Sequence, residues 1–564
     1  MSEFADLLPR TRIAYFTMEI ALRPEMHTYA GGLGVLAGDT ARSCADLSLP
    51  VVFVTLINRE GYLRQEINGA GSQVVKPDPW TPEDWARPLD AMIALEIGDR
   101  AVWVGPWLYL LRSPAGGVVP VLMLDTRLDQ NDPEDRGITD SLYGDGDEYR
   151  LKQEIVLGIG GVRILNALGF AIETFHMNEG HSALLAASLL CRYPHQFGNK
   201  TADGLKFDAD RVRERCVFTT HTPVEAGHDK FDYGSVERFV GKILPVDQLR
   251  LLGGENHLNM TRLALNLSGF INGVAERHAD ITRKMFPVFR IREITNGIHV
   301  ATWAHPAVAK LYDKVAPSWR HEPEELVNAD LIENEAIWSA HQGAKEELIA
   351  EVKRLTGQEL SPDIPLIAFA RRMTGYKRPD LLFEDTDRLR RIAKDRPFQV
   401  VMAGKAHPND ATGQAIIREL HEHARKLSDD IPMAFLPDYG MSLAKVLVSG
   451  ADIWLNTPLP PYEASGTSGM KAAVNGGLNL SVLDGWWLEG WIEGDTGWSI
   501  GADGSDPKRH ARMLYDKLEG TVLPLYYDDR RGWIRMMKEA MGKIGCRFNS
   551  QRMMRRYASE AYLK

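Results

Sequence analysis

Glu463-Ala464-Ser465-Gly466-Thr467-Ser468-Gly469-Met470-Lys471-Ala472-Ala473-Val474-Asn475-Gly476 follows the apolar run Ala451-Asp452-Ile453-Trp454-Leu455-Asn456. The run reads as a buried strand, and Lys471-Ala472-Ala473-Val474 opens a helix-like pattern after the small residues. Strand, small-residue loop and helix start make an anion cradle. N–H groups at a helix N-terminus point outward, and glycine lets an anion approach closely. A lysine just past such a loop is suited to hold a phosphate as a point charge. Desolvated among apolar neighbours, it is equally suited to condense with an aldehyde. Spacing alone also allows a tight turn with a solvated lysine.

On either side of this stretch, strands and helices alternate. Residues 365–370, 398–403, 433–436 and 453–456 read as strands, and 378–394 and 416–426 as helices, which gives a doubly wound parallel sheet. Arg371-Arg372-Met373-Thr374-Gly375-Tyr376-Lys377-Arg378 closes the first of these strands. Four cations in eight residues, in a chain of formal net charge −10, point to an anion at a strand end. The competing reading is a solvated basic face.

In the first half, residues 13–18 read as a strand leading to Tyr29-Ala30-Gly31-Gly32-Leu33-Gly34-Val35-Leu36-Ala37-Gly38. Glycines 32, 34 and 38 imitate a dinucleotide fingerprint with one residue too many before the last, and no acidic ribose partner is placed after residues 51–57. Close helix packing explains the same glycines. The acidic loop Gly144-Asp145-Gly146-Asp147-Glu148 lacks EF-hand spacing and precedes a helix expected over 150–168. His176, Glu179, His181 and His221 stand at the ends of strand-like runs without His-Glu-x-x-His spacing, so no metal is expected. Polar contacts to sugar hydroxyls explain them as well. Ile294-Thr295-Asn296-Gly297-Ile298-His299 reads as the seam between domains 1–300 and 301–564.

At 564 residues the chain exceeds one compact core. The acidic balance argues against nucleic acid or a membrane surface as partner. Four scattered cysteines without a CxxC pair fit free thiols in a reducing cytoplasm. No apolar run reaches the length of a membrane span, and 183–190 reads as a buried helix.

The signature at 463–476 resembles the pyridoxal-phosphate attachment motif of the α-glucan phosphorylases (glycogen, starch, maltodextrin). Matching motifs run in order through nearly the whole chain. The resemblance implies a GT-B fold: two Rossmann-like domains facing across a cleft, with the last helix crossing back to the first. It implies that Lys471 carries pyridoxal 5′-phosphate as a Schiff base. Tyr15, Trp303, Arg371, Tyr439, Gly466 and Thr467 are then expected around the cofactor. Arg372, Lys377, Thr467 and the Gly32 N–H would hold inorganic phosphate. Glu463, Ser465, Gly466, Asn296, His181, Gly32, Leu33 and the backbone carbonyl of His221 would line the sugar site.

The implied reaction is phosphorolysis of terminal α-1,4-linked glucose to α-glucose 1-phosphate with retention, by a cytoplasmic homodimer. Four departures stand out: Arg371 where lysine is usual, Gly440 where large members often have arginine, Pro458-Leu459-Pro460-Pro461 where many short bacterial members have arginines, and a short loop near Gly144. Regulation by an N-terminal phosphorylation site has no basis in the sequence. The alternatives are a nucleotide-sugar glucosyltransferase of the same fold and an inactive glucan-binding relative.

Overall fold

The computed structural model describes residues 2–144, 146–195, 204–501 and 506–563. Asp145 of the acidic loop and the final Lys564 lie outside them. The first sheet contains β1 (Ile13–Phe16), β2 (Val51–Leu56), β3 (Arg100–Arg112), β4 (Val118–Asp125), β5 (Thr174–Asn178), β6 (Cys216–Thr219), β7 (Phe270–Gly273) and β8 (Ile291–Glu293). Their order is β8-β7-β6-β5-β1-β2-β4-β3, parallel from β8 to β4, with β3 antiparallel at the far side. The second sheet is wholly parallel. It contains β9 (Leu366–Ala370), β10 (Gln399–Ala403), β11 (Met433–Leu436), β12 (Ile453–Asn456), β13 (Leu478–Ser481) and β14 (Gly497–Ser499), in the order β11-β10-β9-β12-β13-β14.

Strands such as Ile13-Ala14-Tyr15-Phe16 and Leu366-Ile367-Ala368-Phe369-Ala370 are buried at every position. That is what layers covering both faces of a parallel sheet require. In each sheet the chain enters near the middle and the strand order reverses beside that strand, at β1/β5 and at β9/β12. Crevices open at such switch points, beyond the strand C-termini.

The helices that shape the cleft are α1 (Gly32–Asp46), α2 (Asn334–Thr356), α3 (Met441–Gly450), α4 (Ser468–Ala473) and α5 (Ser550–Tyr557). The expected helix at 150–168 forms as a continuous helical stretch from Asp147 to Ala167 with a wider turn at Val156–Gly160. The helix expected over 378–394 is shorter than its periodicity suggests. It runs over Thr386–Asp395, capped by the Asp385 carboxylate on the Arg388 N–H. Arg378 cannot open it, because this residue adopts a left-handed backbone with φ 45. Its guanidinium donates to the carbonyls of Thr457 and Pro458 at 2.8 and 2.7 Å.

Two devices join the lobes. The hairpin Arg64–Ile67/Gln73–Lys76 reaches the ends of β10 and β11. Gln65 donates to the Gly404 carbonyl, Gln73 to the Ala406 carbonyl and Lys405 to the Leu63 carbonyl, at 2.8 to 2.9 Å. The last helix, α5, crosses back onto the first sheet. Met553, Met554, Tyr557 and Tyr562 share one apolar cluster with Ile13, Tyr15, Val51, Phe53 and α1. The Tyr557 hydroxyl accepts from Asn272 at 2.9 Å, and Tyr562 bonds His176 at 2.6 Å.

Met554 is fully buried there. Met554→Ala is therefore expected to destabilise the protein by about 2–5 kcal/mol, read from the denaturant midpoint at unchanged m-value.

Candidate active site

The first lobe brings an uncapped helix end to its switch point. After β1, the Glu19 carboxylate accepts the N–H groups of Ala30 and Gly31 at 2.6 and 3.1 Å and the Tyr143 hydroxyl at 2.9 Å. This holds the loop that leads into α1, whose N-cap, Gly31, offers no side chain to cap it. The first-turn N–H groups, at exposed Gly32 and half-buried Leu33, are thus left for another acceptor. The glycine pattern divides in two. A methyl at Gly31 or Gly32 would meet nothing within 4 Å, whereas one at Gly34 would strike Tyr29 and Glu19, and one at Gly38 the Ala21 carbonyl at 2.1 Å. Packing accounts for Gly34 and Gly38, and open approach for Gly31 and Gly32.

At the end of β5, Glu179 is held at φ 72 and accepts from His221 N–H at 2.7 Å, Thr222 Oγ1 at 3.0 Å and Gly180 N–H at 3.1 Å. His221 Nε2 meets Asn178 Oδ1 at 2.7 Å, and His181 Nε2 lies 3.5 Å from Asp229. Burial pushes His221 and His176 down to about 3, and burial with nearby Arg150 pushes His181 down to about 4. All three are neutral hydrogen-bonding groups at pH 7. Among the described residues, no three or more His, Cys, Asp or Glu side chains are grouped to hold a metal ion. Asn296 is buried beside this site, its N–H on the Val274 carbonyl.

The second lobe places the basic strand end against the signature loop. Glu463 Oε2 lies 2.6 Å from Arg371 and 2.5 Å from Lys377. Burial alone would raise its pKa, but these two cations outweigh it and hold the carboxyl at about 2. A methyl on Gly466, at φ 74, would come within 3.2 Å of Arg371 and 3.3 Å of Glu463. Ser465 is buried in the same turn. The four cations therefore have three different tasks. Arg371 and Lys377 hold Glu463, Arg378 ties the loop backbone, and Arg372 stands exposed at the strand end.

Tyr439 is half-buried near Arg371, and burial raises its phenol. Gly440 caps α3 without a side chain and has more than 3.5 Å of clearance around a notional methyl. Tyr29 of the first lobe accepts the Met441 N–H at 2.9 Å. Thr467 is the half-buried N-cap of α4, and its hydroxyl makes no capping bond.

Lys471 lies on α4, buried, with Nζ 3.9 Å from the centre of the Trp303 ring. Among the described residues no carboxylate comes within 4.0 Å of it. Burial pushes its amine down to about 8, against the pull of Asp39. Trp303 is fixed in turn by its indole N–H on Asp39 Oδ2 at 2.8 Å.

Side chains stand perpendicular to a sheet, and Tyr15 lies within β1 rather than at its end. Its ring packs against Phe53 and His176 at 4.8 and 4.5 Å, so it is a core residue. Glu19, Asp39 and Tyr29 are site-shaping residues that sequence motifs did not single out.

Two facing doubly wound lobes with cations and helix ends at their switch points are the architecture of a GT-B glycosyltransferase. The central stretch of the chain, residues 220–493, matches the family model described as carbohydrate phosphorylase. Over 98% of its length it is 38% identical to the maltodextrin phosphorylase of Thermococcus litoralis, covering 70% of that protein. It is 36% identical to the glycogen phosphorylase of Mycobacterium tuberculosis (99% and 71% covered) and 34% to that of Aquifex aeolicus (98% and 86%). The chain belongs to the carbohydrate phosphorylase family and is an enzyme.

The two kinds of glycine can be separated by experiment. Gly38→Ala is expected to lower thermal stability, and Gly32→Ala to leave the melting temperature unchanged while raising the KM for an anionic substrate. Glu463 gives a pH signature. Its folded pKa, about 2, lies below the ordinary 4.5, so its stabilisation is complete above about pH 4.5 and is lost as pH falls toward 2. Glu463→Gln should reduce stability at pH 7 by about 3–5 kcal/mol, through two unpaired buried cations. It should also flatten the acid limb between pH 4.5 and 2 in urea titrations.

Proposed function

We propose that the protein is an α-1,4-glucan phosphorylase that transfers the terminal glucosyl unit of a glucan or maltodextrin to inorganic phosphate, giving α-glucose 1-phosphate with retention. The observation that carries this reading is the desolvated Lys471 amine, at about 8 and flat against Trp303, one helical turn after the uncapped Thr467. The names of the relatives, maltodextrin and glycogen phosphorylase, support the substrate class. The division between lobes near residue 300 belongs to the same reading.

Pyridoxal 5′-phosphate fits these residues. Lys471 offers a partly deprotonated amine for its aldehyde and Trp303 an aromatic face. Arg371, the Tyr439 hydroxyl and the side-chain-free start of α3 at Gly440 offer donors for its phosphate. When bound, the cofactor supplies a phosphate that exchanges a proton with substrate phosphate. Arg372, the Thr467 hydroxyl and the first-turn N–H groups of α1 hold inorganic phosphate beneath the sugar, and Lys377 adds charge from its place on Glu463. Neutral His181, Asn296 and the His221 backbone carbonyl orient sugar hydroxyls.

Among the described residues, the two carboxyls of the signature loop are not set up as a pair for ordinary glycoside hydrolysis. Glu463 stays ionised between two cations. Asp484, pushed up to about 6 by burial, spends its oxygens on the N–H groups of Glu463 and Gly485 at 2.9 and 3.0 Å. Phosphate is thus both the attacking group and the proton source for the leaving oxygen, on one face of the sugar.

The test is glucose 1-phosphate release from maltodextrin with and without phosphate. Release should require phosphate, disappear in Lys471→Ala, and fall about 10²–10³-fold in Arg372→Ala. Glucosyl transfer from a nucleotide sugar, with no phosphorolysis of any α-1,4-glucan, would overturn the proposal.

A further inference from the structure

Behind Lys471 lies a buried polar chain that no motif assigned. Asn475, 1% exposed, uses its whole side-chain amide. Nδ2 donates to the carbonyls of Lys471 and Trp303, both at 2.9 Å, and Oδ1 accepts the His305 N–H at 2.7 Å. The Asn475 backbone carbonyl meets His341 Nδ1 at 3.2 Å, and His341 Nε2 meets Asp452 Oδ1 at 3.1 Å. Asp452 is pinned on its other oxygen by Lys345 and the Leu366 N–H, both at 2.8 Å. Asp452 and His341 are wholly buried, on the loop into β12 and on α2. One amide therefore joins the residue carrying the amine to the residue carrying the indole beneath it, and His341 on α2 holds the Asn475 backbone from behind.

We propose that Asn475 is a positioning residue for Lys471, clamping its turn of helix to Trp303, with His341 and Asp452 as its support. The inference rests on Lys471 as the cofactor lysine. A carboxamide is required because both neighbours on the Nδ2 side are carbonyl oxygens. A carboxylate of the same shape would repel both and open the stack to water. Water beside Nζ favours the charged amine and moves its titration toward that of an ordinary lysine.

Asn475→Asp and His341→Gln test this in the full-length enzyme as purified. The readouts are pyridoxal content after dialysis, the pH midpoint of the imine absorption band, and the site of borohydride reduction by mass spectrometry. Asn475→Asp should retain at least about tenfold less cofactor and shift the midpoint upward by about one pH unit, which is a tenfold change in the protonation equilibrium. His341→Gln should shift it the same way by less. Thermal melting identifies variants that have lost the fold; where Asn475→Asp does not fold, His341→Gln decides. Folded variants with wild-type midpoint and cofactor content overturn the positioning role. Absence of an imine on Lys471 in the wild type overturns the cofactor reading instead. The clamp is then judged on the pH midpoint of Lys471 acetylation by acetic anhydride, for which the same upward shift is expected and no shift refutes it.

Discussion

The contact between the Lys471 amine and the Trp303 ring sets terms that the rest of the molecule must meet. A lysine near 8 needs a site with little water and no carboxylate in direct contact. Three separate parts of the chain supply that site: α4 carries the amine, the Val300–Trp303 turn carries the indole, and α1 carries Asp39, which fixes the indole. The chemistry therefore depends on the lobes being docked. The hairpin to Gly404 and Ala406 and the return of α5 are the structural means of keeping them so.

Charge around the cleft is arranged by subtraction. The chain is acidic overall, yet one strand end gathers four cations, and three of them are committed within the protein. Glu463 neutralises part of the field and fixes Arg371 and Lys377 in position. Arg372, paired with the Tyr376 hydroxyl rather than with a carboxylate, keeps its charge available to a mobile anion. A site with all four cations uncommitted would bind phosphate without placing it. Preorganised donors stabilise developing charge because they need not move at the moment of reaction.

Much of the fold was legible because parallel strands buried on both faces write themselves as unbroken apolar runs, as at Leu366–Ala370 and Ile453–Asn456. The grouping of the basic segment with the signature was legible too, since both lie at the ends of neighbouring strands. Side-chain ties to distant backbone were not. Arg378 looked like the start of a helix until its bonds to Thr457 and Pro458 showed why its backbone turns left-handed. Tyr15 packs its ring against Phe53 and His176 in the sheet's core. The glycine run was ambiguous because a glycine needed for packing and one needed for approach are spelled alike, and only the clearance around each separates them. Asn475 was visible within the signature, but the carbonyls it joins are separated by more than 160 residues.

The return of α5 sets the order of burial against the order of synthesis. A ribosome makes β1 and β2 long before Met554, Tyr557 and Tyr562, which cover one face of them. Until α5 has emerged, that apolar face has no native cover. A chain cut short before α5 has both sheets but an exposed, sticky flank, the kind of surface that chaperones and proteases recognise. The segment from α5 to Tyr562 thus seals that face of the first sheet, and the docking of the lobes is secured only in chains that extend through it.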